Sequence, residues 1–186
     1  MILPIYIYGQ PVLREVCHDV ELNKEELAEL TQNMFETLTA SSGVGLSGPQ
    51  IGLPVRIAVI DLDILSDELP EYKNFRHAYY NPHITEFSEN TEKMDEGCLS
   101  LPGISEAVER ADKIRVTYYD DDFKYHDEYV QGYLARVMQH EFDHLDGKMF
   151  IDHISPFRRQ IIKGKLGNFL KGKAHCSYKV KTVRKG

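Results

Sequence analysis

The chain has 186 residues, 42% hydrophobic and 27% charged, which is typical of one soluble globular domain with its own buried core. No apolar run approaches the roughly 20 residues that cross a bilayer, and the N-terminus lacks the basic start of a signal peptide. Three cysteines are too few for a disulfide framework and favour a reducing compartment. We therefore expect a cytoplasmic protein with no membrane partner.

The net charge of −7 conceals two oppositely charged regions. Residues 1–152 contain 12 Lys and Arg against 29 Asp and Glu, whereas residues 153–186 contain 10 Lys and Arg and no acidic residue. We divide the chain accordingly into a main domain, 1–152, and a basic C-terminal helix and tail, 153–186, either part of that domain or an extension of it. Such a tail indicates an anionic partner, and the alternative is a solvated, partly disordered end.

The first two thirds of the chain predict one helix and several strands. Asn23 is a candidate N-cap, Glu26 follows three residues later, and apolar residues then recur at helical spacing, which predicts a helix over about 24–40. The stretch "SSGVGLSGPQIGLP" contains four glycines and two prolines and predicts a loop. The segment 61–76 is polar and irregular, typical of a surface excursion. Strands are expected at "VRIAVID", at "KIRVTYYD", near Tyr79, over 96–101 and over 123–129.

Two further helices are predicted near the C-terminus. "YLARVMQHEFDHL" has apolar residues at helical spacing, which predicts a helix with a buried face, and Gly147 is well placed to end it. Ser155 and Pro156 are typical of the N-cap and first residue of another helix, whose pattern is lost near Gly167. We expect the last dozen residues to fray. Strands before and between a few helices, without βαβ alternation, indicate an α+β fold.

The stretch "QHEFDHL" carries the first chemical motif. His140 and His144 lie one turn apart on one helix face, so two ring nitrogens can reach one metal ion, with Glu141 beside a water there. The alternative is a pair of helix histidines whose hydrogen bonds are satisfied by neighbours. Val137 on the same face favours burial, and buried imidazoles need partners.

The stretch "DEGCLSLPG" offers a third ligand. We expect Cys98 to lie in a short apolar strand that ends at Pro102, where a lone cysteine is most often a small core residue. Beside a histidine pair it is the natural third ligand, because one thiolate and two imidazoles leave a fourth tetrahedral position open, as in catalytic sites. Cys17, Cys176 and His153 are weaker candidates.

The stretch "GVGLSGPQ", residues 43–50, is the third motif. It lacks the strand-then-helix context of a dinucleotide loop and the lysine of a P-loop, so it is either an ordinary turn or a backbone wall against an extended substrate. In the second case it ends in Gln50, whose amide can donate to an oxyanion.

In this order and at these separations, the three motifs closely resemble those of the peptide deformylases, and the resemblance runs from "PVLR" near the start to "DHISP" after the helix. One departure is that Ser47 and Gly48 stand where the family usually has two alanines. Both residues are small, so the packing should survive, and the departure bears on the fine positioning of Gln50. The resemblance implies small antiparallel sheets around a central metal-binding helix with the HExxH motif, followed by a C-terminal helix.

The implied activity is removal of the formyl group from N-formyl-methionyl nascent chains by a bacterial hydrolase, releasing formate. Glu141 would take a proton from water and deliver it to the leaving amine, while the Gln50 amide and the Leu99 N–H would meet the oxyanion. Ligand chemistry alone favours Zn²⁺, whereas the resemblance implies one native Fe²⁺, with Zn²⁺, Ni²⁺ or Co²⁺ able to occupy the site. The implied ligands are Cys98, His140 and His144.

The substrate would bind as an added strand along residues 44–45 and 97–99. Its methionine side chain would enter a pocket on the metal-binding face of the helix, because Tyr133 and Val137 precede His140 by seven and three residues. The stem of Arg136 is an adjacent possibility. The expected substrate contacts are Val44, Gly45, Gly97, Tyr133 and Val137.

The same residues also indicate the binding partners of the protein and leave two other protein classes open. The basic tail is expected to contact the phosphate-rich ribosome surface, with no DNA partner, and removal of the chain after Leu170 is expected to spare turnover of a short peptide. Two other hypotheses stay open. One is a zinc endopeptidase with a distant glutamate as third ligand, and the other is a metal-stabilised, non-catalytic module that binds RNA through the tail.

Overall fold

The computed structural model describes residues 1–183 and has the predicted α+β fold. None of its helices is long and apolar enough to cross a membrane. The helices are α1 Lys24–Ser41, α2 Tyr133–Leu145 and α3 Pro156–Leu170. The strands are β1 Ile5–Tyr6, β2 Gly45–Ser47, β3 Ile57–Asp61, β4 Arg76–Phe87, β5 Thr91–Gly97, β6 Ser105–Ala111, β7 Lys113–Tyr119, β8 Tyr125–Gln131 and β9 Val180–Lys181.

A five-stranded antiparallel sheet, in the order β2-β3-β4-β7-β8, lies between α1 and α2. Successive side chains of a strand point to opposite faces, so β3 directs Ala58 and Ile60 into the core with α2, and Ile57 and Val59 into the core with α1. This burial on both faces explains why "VRIAVID" is apolar throughout. The strand predicted near Tyr79 is the twelve-residue β4, with register shifts in its pairing to β7.

The predicted helices α1 and α2 are confirmed. Both could be predicted because their sequence signals are local. The side chain of Asn23 accepts hydrogen bonds from the N–H groups of Glu25 and Glu26, at 3.1 and 3.4 Å. After α2, the Gly147 N–H donates to the His144 carbonyl at 3.2 Å. Gly147 has φ +71°, and a Cβ there would lie 2.6 Å from the Arg14 carbonyl oxygen, so glycine is required.

At the hairpin β5–β6 one strand prediction was wrong and one strand was missed. The strand expected over 96–101 ends at Gly97, and Cys98 follows it at the start of a turn rather than inside a strand. Pro102 and Gly103, the latter with φ +79°, continue the reversal. Strand β6 was not predicted, because its inward side chains include charged Glu106 and Arg110, which hide the apolar alternation.

The stretch "SSGVGLSGPQIGLP" was predicted to be a loop, and this prediction was wrong over residues 45–51. Residues Gly45–Ser47 form β2, paired with β3, and Gly48–Ile51 form a 3-10 turn. A Cβ at Gly48 would lie 2.5 Å from the Val55 carbonyl oxygen. The glycines therefore serve close backbone approach inside an ordered element.

The C-terminal region is more ordered than predicted. The Ser155 hydroxyl accepts from the Arg158 N–H at 3.2 Å, as expected of an N-cap, and α3 continues past Gly167 to Leu170. The expected fraying is wrong for residues 175–183, because β9 pairs in parallel with β1, with Ile5 opposite Val180. Sequence reasoning missed this pairing because its partner lies at the other end of the chain. Arg184, Lys185 and Gly186, also part of the predicted tail, lie outside the described residues.

Candidate functional site

Three metal-ligating side chains converge where α2 meets the turn after β5. One donor atom each from Cys98, His140 and His144 lies within 4.8 Å of the others, close enough to share one ion. Cys98 Sγ is 3.3 Å from His144 Nε2. Within residues 1–183 no other group of this kind is found, and no distant glutamate joins this one, as the endopeptidase hypothesis requires. The weaker candidates Cys17, Cys176 and His153 are not part of it.

A buried carboxylate, that of Glu96, binds the Nδ1 nitrogen of His140. His140 Nδ1 lies 2.8 Å from Glu96 Oε1, which leaves Nε2 facing the other donors. Glu96 also accepts hydrogen bonds from Arg110 at 2.6 and 2.9 Å and from Arg136 at 2.6 Å. Burial alone raises the pKa of Glu96, but hydrogen bonds from His140 and Arg110 outweigh burial and lower it to about 2. Glu96 is therefore a fixed anion beneath the site.

Sequence reasoning missed Glu96 and its partners. Arg110 bridges to Asp143 at 2.9 Å, and Asp143 reaches His153 at 2.8 Å, so the network continues along the side of α2. Arg136, proposed as a possible pocket residue, does line the cleft, but its guanidinium is buried against Glu96. The charged residues at buried positions of β5 and β6 were a signal, but which of these charges form ion pairs cannot be inferred without the fold.

The two histidines have different surroundings. Burial lowers the pKa of His140, but hydrogen bonds with Cys98 and Glu96 outweigh burial and raise it well above the usual value. The surroundings of His140 thus favour positive charge, which also suits a bound cation. His144 is fully buried, and burial, then the charge of His140, lower its pKa to about 3. His144 therefore stays neutral and can bind a metal directly, whereas His140 would exchange its proton for the metal, and one thiol with two imidazoles fits a divalent metal.

Glu141 is a buried carboxylate whose pKa lies near neutral pH. Burial raises its pKa to about 7, partly opposed by the nearby His140. Its Oε1 lies 3.9 Å from His140 Nε2, and its Oε2 is buried with no hydrogen-bond partner among residues 1–183. A Cβ at Gly45 would lie 2.6 Å from Glu141 Oε1, so the glycine in β2 leaves room for the carboxylate. Such a group can accept and return a proton at neutral pH.

Gln50 is held in one orientation beside the thiol. Its Oε1 accepts from the Ser47 N–H at 3.0 Å and from the Ser47 hydroxyl at 3.1 Å. Its Nε2 therefore points toward Cys98 Sγ, 3.4 Å away, and Ser100 Oγ, 3.2 Å away. The departure at Ser47 thus adds a donor that orients Gln50. Among residues 1–183 the Leu99 N–H has no hydrogen-bond acceptor.

A cleft of about 510 Å³ opens above these groups. It runs between β2, the turn after β5 and α2, and residues 175–178 of the C-terminal region form a further side that sequence reasoning missed. The residues predicted for chemistry or substrate contact that line it are Val44, Gly45, Gln50, Gly97, Cys98, Leu99, Tyr133, Val137, His140 and Glu141.

The site combines one thiol, two imidazoles, a neighbouring buried glutamate and an amide donor, and this set fits a metal-dependent hydrolase. Residues 2–160 match the family model described as polypeptide deformylase. The chain is 41% identical to the peptide deformylase of Flavobacterium psychrophilum, covering 100% of this chain and 99% of the relative. It is also 41% identical to that of Cytophaga hutchinsonii, with 97% of each chain covered.

Solved structures agree with the sequence matches. The peptide deformylase of Thermus thermophilus superposes with a TM-score of 0.81 at 38% identity, covering 93% of this chain and all of that one. The Plasmodium falciparum peptide deformylase gives a TM-score of 0.83 at 33% identity, covering 90% of this chain and 95% of that one. The chain therefore belongs to the peptide deformylase family and removes the formyl group from nascent polypeptides.

Proposed function

We propose that this deformylase works through one divalent metal held by Cys98, His140 and His144, with Glu141 as the general base and acid. The observation that carries the proposal is the meeting of three ligand atoms within 4.8 Å beside a buried carboxylate that has an unpaired oxygen. When bound, the metal supplies Lewis acidity, which lowers the pKa of a water and polarises the formyl carbonyl.

Glu141 moves the proton. It accepts a proton from the water that adds to the formyl carbon, and it returns that proton to the amine nitrogen as the C–N bond breaks. The products are formate and a free N-terminus. A pKa of about 7 supports both directions of transfer, and the unpaired Oε2 supports a role toward a group inside the cleft.

Gln50 and Leu99 stabilise the oxygen that becomes negative when water adds. Gln50 Nε2 is aimed at the thiol side of the cleft because Ser47 holds the other end of the amide. The Leu99 N–H on the neighbouring turn has no acceptor within residues 1–183, which supports a second donor.

The peptide lies as an extended strand beside Val44 and Gly45 on one side and Gly97 on the other. Its methionine side chain enters between Val44, Tyr133 and Val137. These three residues line the cleft and pack in the same core cluster, which supports an apolar pocket.

The native metal is Fe²⁺, and Zn²⁺, Ni²⁺ or Co²⁺ can replace it. Thiolate and imidazole donors accept all four ions, so the preference for iron is supported by the family resemblance. Metal analysis of protein purified without oxygen tests the assignment. Iron is expected as the predominant bound metal, and one equivalent of zinc, nickel or cobalt with little iron would contradict the assignment.

The proposed chemistry is tested by formate release from formyl-Met-Ala-Ser, with and without added metal under anaerobic conditions. Glu141→Ala is expected to keep the fold and one metal equivalent but to lose about 10²–10⁴-fold in rate, the usual contribution of a general acid–base group. Glu29→Ala, the same change at an exposed position of α1, is the matched control. A fall of less than tenfold in Glu141→Ala would reject the assigned role.

We also propose that the enzyme acts in the bacterial cytoplasm, at the ribosome, through its basic C-terminal region. Support comes from α3, where Lys163 and Lys165 are exposed and no acidic residue follows position 152. Contacts with ribosomal phosphates would release counterions, so binding would weaken with salt.

The ribosome test keeps the chain full-length, because removal after Leu170 would also remove β9, which pairs with β1. Lys163→Glu with Lys165→Glu is expected to weaken co-sedimentation with ribosomes at low salt and to leave free-peptide turnover unchanged. Lys73→Glu with Lys93→Glu, at exposed positions of the acidic body, is the control. Equal salt dependence of both double variants would exclude the proposal.

A further inference from the structure

The C-terminal wall, residues 175–178, lies beyond the part of the chain that matches the family model, which ends at residue 160. All four residues line the catalytic cleft. The wall is kept there by β9, which pairs with β1, and by Gln10, whose side-chain amide donates to the Thr182 carbonyl at 3.0 Å. The two ends of the chain thus join to form one side of the cleft.

The wall also holds the turn at residues 98–101. The Tyr178 hydroxyl donates to the Leu99 carbonyl at 2.7 Å, and the Tyr8 N–H donates to the Ser100 carbonyl at 2.9 Å. The turn itself is closed by a 3.0 Å hydrogen bond between its first carbonyl and its last N–H. Three successive carbonyls are therefore fixed. The Leu99 N–H shares a rigid peptide plane with the Cys98 carbonyl, which the Leu101 N–H holds, and the Tyr178 hydroxyl holds the next peptide plane along the turn. Together these two bonds limit rotation of the Leu99 N–H.

The wall is a solvent-exposed side of the cleft. His175, Cys176 and Ser177 are exposed, whereas Glu141 and Val137, which also line the cleft, are almost fully buried. The buried side suits the formyl group and the apolar methionine side chain. The rest of a nascent chain has to reach solvent, so it passes the exposed side, where polar wall side chains can hydrogen-bond to it.

We propose that the C-terminal wall contacts the substrate residues that follow formyl-methionine, and that Tyr178 is a positioning residue for the Leu99 turn. The proposal deepens the function proposed above and rests on its assignment of the Leu99 N–H to the oxyanion. It makes the C-terminal region part of the substrate site, in addition to any ribosome contact.

The positioning role is tested with Tyr178→Phe, which removes only the hydroxyl. A lost hydrogen bond of this kind is expected to lower kcat about three- to tenfold for formyl-Met-Ala-Ser, with the metal content and melting temperature retained. Tyr129→Phe is the matched control, since the Tyr129 hydroxyl bonds to Glu86 on the sheet, outside the cleft. An unchanged kcat in Tyr178→Phe, or an equal fall in both variants, would overturn this role.

The contact with later substrate residues is tested with Ser177→Trp, which adds bulk at the exposed side of the cleft. KM is expected to rise severalfold for formyl-Met-Ala-Ser but to change little for formyl-methionine amide, which ends before the wall. Equal effects on both substrates, or no effect on either, would overturn the contact. Failure of the proposed acid–base chemistry would appear elsewhere, as full activity of Glu141→Ala, whereas the substrate-dependent change in KM for Ser177→Trp does not depend on that chemistry.

Discussion

The floor of the cleft and its C-terminal wall are stabilised in different ways. The floor comprises the three proposed ligands, Glu141 and the underlying Glu96, which receives charged hydrogen bonds from two arginines and contacts His140. The wall is exposed at three of its four positions and depends on a two-residue strand, the Gln10 amide and one tyrosine hydroxyl. We infer that the floor sets the chemistry and tolerates little change, whereas the wall adjusts which peptides are turned over.

The two cysteines of the cleft give the sharpest test of this contrast. Cys98→Ala removes one of the three proposed protein ligands on the floor, so metal occupancy and formate release are both expected to be lost. Cys176→Ser changes a wall thiol and is expected to keep one metal equivalent. Elemental analysis of both purified variants is the measurement. One tightly bound equivalent in Cys98→Ala would mean that another residue is the ligand.

Gln50 tests whether the floor does more than hold metal. Gln50→Ala is expected to lower kcat by about 10²–10³-fold, the usual effect of removing one oxyanion donor, while metal content stays at one equivalent. Steady-state kinetics with formyl-Met-Ala-Ser measure the change. If kcat is unchanged, Gln50 only shapes the turn after β2.

Acid is expected to lower the free energy of unfolding through protonation of Glu96 on the floor. The pKa of Glu96 is lowered from 4.5 to about 2 in the folded protein, so its contribution is complete above pH 4.5 and is lost as the pH falls toward 2. That shift corresponds to roughly 3 kcal/mol of unfolding free energy. Urea unfolding of wild type and Glu96→Gln at pH 7, 4 and 3 should show a stability difference that shrinks with acid. A constant difference would mean that Glu96 does not titrate in this window.

The smallest expected effect is at Ser47. Ser47→Ala restores the alanine usual in the family and leaves Gln50 Oε1 with only the backbone donor. Loss of one hydrogen bond predicts about a two- to tenfold lower kcat, well below the effect of Gln50→Ala. Kinetics of the single variants and the Ser47→Ala, Gln50→Ala double variant measure the coupling. Fully additive effects would show that the hydroxyl does not act through Gln50.

Several elements could be predicted because their information is local. The i, i+4 histidines, the apolar spacing of α2 and the cap at Asn23 each need only one or two helical turns of sequence. Strand β3 was recognisable because both of its faces are buried. Strand β6 was not, because its inward face pairs Arg110 with Glu96 across the hairpin instead of presenting only apolar side chains.

By itself, the sequence determined the order of the three motifs and identified the candidate metal ligands and the candidate general base, because the spacing of each motif within one helix or loop already constrains its chemistry. Only the tertiary structure decided that Glu96 anchors His140, that Ser47 orients Gln50 through its hydroxyl, and that the chain end closes the cleft. These features join residues distant in sequence, as in the Tyr178–Leu99 contact across 79 positions, or depend on side-chain orientation. Contacts between distant residues and side-chain orientations cannot be inferred from local patterns. The distant contacts form only because the assembled core compensates for the entropy lost on closing such long loops.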